Sequence, residues 1–126
     1  QLDRIEELNG ARVVNGIALD RALQDVSGLK TPVYPEKSEP IYMSFVVHHK
    51  DRKGLEKELR KRGVDTTTGY MNNLSDHELF MEYKKDCPNA KKANTELLHI
   101  PVHPNLSKCD REHIINSVIN SCTNLR

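Results

Sequence analysis

Ile41-Tyr42-Met43-Ser44-Phe45-Val46-Val47-His48, followed by Asp51-Arg52-Lys53-Gly54-Leu55 and Leu59-Arg60-Lys61-Arg62-Gly63, is the stretch from which the fold is read. Ile41, Met43, Phe45 and Val47 recur at every second position and share one face, the pattern of a half-buried strand. Asp51 can accept from the free amides of a helix start. A short helix is therefore expected from there to Arg62, with Leu55 and Leu59 inward and Gly63 at its C-terminal end. Glu56 with Arg60, and Glu58 with Arg62, stand four apart with opposite charge, which marks a solvated face and not a phosphate-binding stripe.

Downstream, Val64 to Met71 reads as a second strand, favoured by its β-branched residues and interrupted by Gly69. Ser75-Asp76-His77-Glu78 has the form of a capping box, opening a short helix through Leu79, Phe80 and Tyr83. Pro88 suits the first turn of another helix carrying Ala90, Ala93 and Leu97. Leu98 to Val102 is expected as a third strand, with Pro101 at its end or on an edge. Ser107, with Asp110 three residues on, should cap a last helix whose buried stripe is Ile114, Ile115, Val118, Ile119 and Cys122.

Upstream, Leu2 to Val26 is helical in pattern. Leu2, Ile5, Leu8, Leu19, Ala22, Leu23 and Val26 fall on one side, while Val13, Val14 and Ile17 lie on another. A helix apolar on two sides calls for cover on two sides, so a neighbour is expected against the second. Ser27-Gly28 stops this helix, and Pro32, Pro35 and Pro40 keep the next segment extended or irregular. The organisation expected is one domain: helix over 1–26, linker over 27–40, sheet and helices over 41–126. The fold class is α+β, a small sheet of about three strands with helices on one face, which buries these stripes in two layers.

The chain has 126 residues, enough for one modest core. Lys and Arg number 19 against 18 Asp and Glu, a balance that gives no electrostatic reason to expect nucleic acid or an anionic membrane. Apolar runs are only a few residues long, so no bilayer span is expected. Cys87, Cys109 and Cys122 lack metal-motif spacing and read as free thiols of a cytoplasmic protein. The sequence opens on Gln1 and enters a helix with no capping residue ahead of it. That opening reads as the interior of a larger protein.

No metal, phosphate-loop or nucleophile motif is present. His99 and His103 are four apart in an extended segment, hence about 13 Å apart and too distant to share a metal. Cys87 before Pro88 sits at a helix start, where it reads more simply as a half-buried thiol than a reactive one. The segment Asp65-Thr66-Thr67-Thr68-Gly69-Tyr70-Met71-Asn72-Asn73 gathers hydroxyls, amides and a phenol. It can line a pocket for a hydroxyl-rich ligand, or be a strand with a polar turn.

Several pieces in succession resemble one family. Gln1 to Asn9 and Leu23 to Leu29 resemble the interdomain helix of the DegT/DnrJ/StrS-type sugar aminotransferases. Ile41 to Val47 with Asp51-Arg52 and Leu55 resemble its first small-domain strand and helix. Leu59-Arg60-Lys61-Arg62-Gly63-Val64-Asp65-Thr66 resembles the family's step into a substrate loop. Cys87-Pro88-Asn89-Ala90 and Leu98 to Ser107 resemble its tail.

The resemblance implies the C-terminal small domain of a fold-type-I, PLP-dependent enzyme that moves an amino group, usually from glutamate, to a keto-sugar on a nucleotide. It implies a homodimeric parent whose N-terminal large domain holds PLP and the Schiff-base lysine. No catalytic, cofactor or metal residue is then expected within this chain, and alone it should be inert. Thr67, Thr68, Tyr70 and Asn72 are the expected substrate-side residues. Two positions depart from the family pattern: Gly69 and Ser75 stand where histidines are usual, which puts the usual acceptor in question. The alternatives are a free-standing ligand-binding module built on residues 66–73, or an interaction module built on Val13, Val14 and Ile17.

Overall fold

The structure is a computed structural model that describes residues 2–68 and 72–125. A 3-10 turn over Leu2–Arg4 leads into helix α1, Ile5–Leu23. Then come the short strand β1, Leu29–Lys30, the strand β2, Phe45–His49, and helix α2, Arg52–Lys61. Two 3-10 turns, Leu74–Asp76 and Glu78–Tyr83, precede helix α3, Pro88–Glu96, strand β3, Leu97–Ile100, and helix α4, Lys108–Asn124. Among the described residues no helix is long and apolar enough to cross a membrane.

The strands form one antiparallel sheet in the order β1-β2-β3. Phe45 lies opposite Ile100 and Val47 opposite Leu98, so these four side chains share the inner face. They pack with Leu19 and Leu23 of α1, Leu55 and Leu59 of α2, and Ile114, Val118 and Cys122 of α4. Helix α4 lies against both α1 and α2, which closes the helical layer over the sheet. The α+β architecture read from the sequence is the one observed.

The local signals act where they were expected. The Gly54 N–H donates to Asp51 Oδ1 at 2.9 Å, capping α2. Gly63, at φ +77°, takes the left-handed conformation that releases the chain from α2. Ser107 and Asp110 form a reciprocal capping box at α4. Arg60 pairs with Glu56 at 3.0 Å, whereas Glu58 pairs with Lys61 at 2.6 Å and not with Arg62.

Five expectations are corrected. The first strand begins at Phe45; Ile41 and Met43 are exposed, and it is Tyr42 that is buried. Tyr42 has φ +49°, a left-handed backbone that is strained for a bulky residue. This reversal lays its ring over Gly16, where any Cβ would overlap it, and against Phe45 at 6.2 Å between centroids. The expected strand over 64–71 reduces, among described residues, to one bridge between Thr67 and His99. The third strand is β1, inside the segment expected to be irregular. The helix expected after Ser75 is instead a pair of 3-10 turns, since Leu79, Phe80 and Tyr83 are exposed and give it no packed face. Finally, only the C-terminal half of α1 is buried on the predicted stripe, and Leu2 and Ile5 are exposed.

Candidate functional site

A cleft of about 420 Å³ opens where α1, the approach to β2, the bridge strand and the end of β3 meet. Arg12, Ser44, Asp65, Thr66, Thr67, His99 and His103 supply its polar lining. The main chains of Thr67 and His99 exchange two hydrogen bonds. The Thr67 N–H donates to the His99 carbonyl at 3.2 Å, and the His99 N–H donates to the Thr67 carbonyl at 2.8 Å. This places the threonine segment at a fixed height on the sheet edge. Pro101 follows two residues later; having no N–H, it ends the ladder and turns the chain into the loop that carries His103.

That loop is held from behind. Asn15, a buried side chain on α1, donates from Nδ2 to the His103 carbonyl at 3.0 Å. Arg111 of α4 donates from Nη1 to Asn15 Oδ1 at 2.7 Å. One amide thereby joins α1, the His103 loop and α4, with its donor and its acceptor both used. On the cleft side, Asp65 Oδ1 accepts from the Thr66 N–H at 3.0 Å, and the Arg12 guanidinium donates to Asn9 Oδ1 at 3.3 Å.

Burial holds the His99 imidazole below its ordinary pKa, so it is a neutral ring near pH 7. Hydrogen bonds from Ser107, then the fields of His103 and His113, hold the Asp110 carboxyl below the usual carboxylate range. The cleft offers hydroxyls, a guanidinium, a carboxylate and imidazoles, a set suited to hydrogen-bonding a polar ligand.

Of the four residues singled out from the sequence, Thr67 lines this cleft. Thr68 and Asn72 are exposed and flank the segment 69–71. Tyr70 lies outside the described residues, as does Gly69. Ser75 is half-buried and donates to Asn73 Oδ1 at 3.0 Å. Sequence reading passed over Arg12 and Ser44 as site residues, and treated His99 and His103 only as rejected metal ligands. Their common location depends on β3 pairing with both β2 and Thr67, which no local pattern encodes.

Comparison with known proteins adds the lineage. The chain is 25% identical over 120 residues to the UDP-2-acetamido-2-deoxy-3-oxo-D-glucuronate aminotransferase of Pseudomonas aeruginosa, covering 95% of this chain and 33% of that protein. The aminotransferase TlmJ of Streptoalloteichus hindustanus superposes with a TM-score of 0.92 at 29% identity, over 99% of this chain and 34% of TlmJ. Spr1654 of Streptococcus pneumoniae, solved in its PLP form, shares the fold with a TM-score of 0.86 at 18% identity, over 100% of this chain and 34% of its own. This chain thus spans about a third of the length of the relatives it matches. The family model of the DegT/DnrJ/EryC1/StrS aminotransferases matches residues 1–119, and the chain belongs to that family.

Proposed function

We propose that this chain is the small, substrate-side domain of a PLP-dependent aminotransferase. In the complete enzyme it covers the site where an amino group passes, with glutamate as donor, to a keto-sugar carried on a nucleotide. The family match over residues 1–119 carries this reading. The acceptor class follows the Pseudomonas relative, whose substrate is a UDP-linked 3-oxo sugar acid.

PLP supplies an electron sink for amino transfer and is held by an enzyme lysine. Among the described residues none of the side chains lining the cleft is a lysine, so these residues do not fit the cofactor. PLP belongs to the remainder of the longer polypeptide, a large domain on the N-terminal side. What this chain contributes is recognition and cover. Thr67 faces the sugar, and Thr68, Tyr70 and Asn72 are assigned to the substrate side with it, the threonine hydroxyls hydrogen-bonding the sugar's hydroxyl groups. The neutral His99 ring and the Asn15-braced His103 loop form a fixed wall that limits water at the reacting carbon. The same reading makes the complete enzyme a cytoplasmic homodimer.

The test is to purify the complete polypeptide encoded at this locus and record its visible absorption for bound PLP. Incubation with glutamate and a UDP-linked 3-oxo sugar should then release 2-oxoglutarate. The 126-residue chain alone should do neither. A complete polypeptide that takes up no PLP and transfers no amino group would sink the catalytic reading.

A further inference from the structure

We propose that Arg12 binds a carboxylate in the cleft and so selects a keto-sugar whose ring carries an acid group. The inference rests on the proposed function above and narrows its acceptor from nucleotide-linked keto-sugars at large to the acidic ones.

Arg12 stands on α1 three positions before Asn15, so the two side chains leave the helix on the same side. Asn15 reaches the His103 carbonyl, and Arg12 lines the cleft together with that loop. The Arg12 side chain is half-buried and makes one hydrogen bond, from Nη1 to Asn9 Oδ1 at 3.3 Å. Among the described residues no Asp or Glu forms an ion pair with it. Asn9 is neutral, so the charge stays uncompensated and most of the guanidinium's five donors remain available. A partly buried cation without a counter-charge is costly, and an anionic ligand relieves that cost.

The lining decides which anion. Among the described residues Arg12 is the cleft's only lysine or arginine. A diphosphate brings two charges and calls for more than one cation. Asp65 in the same lining opposes it further, its Oδ1 already accepting from the Thr66 N–H. A single carboxylate suits a single guanidinium, which grips it edge to edge through two parallel N–H···O bonds. Ser44, Thr66 and Thr67 bring hydroxyls to the same cleft, the chemistry that holds a sugar ring. An anion bound among them is a substituent of that ring and not part of the nucleotide.

Titration calorimetry on the complete polypeptide tests this with UDP-glucuronic acid and UDP-glucose. The two differ only at C6 of the sugar, a carboxylate against a hydroxymethyl group. The parent should bind the acid about tenfold or more tightly than the neutral sugar. Arg12→Gln should weaken acid binding by about 10- to 100-fold and alter UDP-glucose binding by less than about twofold. Arg12→Lys keeps the charge but not the fork, and should retain part of the preference. Equal affinity of the parent for both ligands, or no binding of either, overturns the proposal. So does an Arg12→Gln protein that keeps the preference, and so does one that weakens both ligands alike, which places the contact on the nucleotide. Visible absorption of PLP and amino transfer are recorded on the same preparations. A preference abolished by Arg12→Gln without amino transfer upholds the carboxylate site and removes the function; amino transfer without the preference does the reverse.

Discussion

Arg111 and Asn15, 96 positions apart in sequence, meet in a hydrogen bond of 2.7 Å, with Arg111 the donor. Because Asn15 also donates to the His103 carbonyl, cutting this amide orphans two groups at once. Asn15→Leu should destabilise the domain by about 2–3 kcal/mol, more than a surface change, because buried polar partners are left unsatisfied. Urea unfolding of Asn15→Leu, Arg111→Met and the double variant checks it. Strict additivity would mean the two side chains do not act together.

Gly16 and Tyr42 share a space that admits only one side chain. Gly16→Ala gains helix propensity but forces the Tyr42 ring out, so a net loss of about 1–3 kcal/mol is expected. Tyr42→Ala combined with Gly16→Ala should recover part of that loss. A Gly16→Ala protein as stable as the parent in thermal melts would show that the ring lies elsewhere.

Two groups at or beside the cleft contribute to the response to acid in separate windows. His99 has a folded pKa below its unfolded value near 6.5, so the unfolded chain binds more protons once the pH falls past that value. Stability should therefore drop as pH falls through about 6.5 towards the folded value, and His99→Gln should flatten that slope. Asp110 is also lowered, which makes the capping box fully effective above the unfolded value near 3.9 and lost as pH falls through the folded one. Asp110→Asn should flatten only this lower window. Melting temperature against pH for the two variants separates them; identical curves would contradict both assignments.

Thr67→Val keeps the shape of the side chain and removes its hydroxyl. In the complete polypeptide it should raise KM for the sugar substrate by about 3- to 10-fold, the worth of one neutral hydrogen bond, and change kcat less. Its melting temperature should hold, since Thr67 joins the sheet through its main chain. An unchanged KM would place the sugar away from this cleft.

What was legible in the sequence is what neighbours in the chain decide. Asp51, Gly63, Ser107 and Asp110 each act within a few residues, and each end lies where its chemistry requires. Tyr42 was not legible, because its burial depends on a gap at Gly16 in another helix. The threonine-rich segment has strand composition, yet Pro101 has no N–H with which to carry the Thr67–His99 ladder further. Thr67 could be picked out by its hydroxyl-rich surroundings. Arg12 and His103 could not, since only the tertiary fold brings α1 to the loop beyond β3.

Packing α1 against α4 has a kinetic corollary. Helix α1 finds its cover in α4, so loop closure spans residues 24–107 before Leu19 and Leu23 are sealed. On the ribosome, an emerging α1 must wait for α4 before its greasy side is shielded. Such late, long-range closure slows folding and leaves the nascent helix open to chaperones.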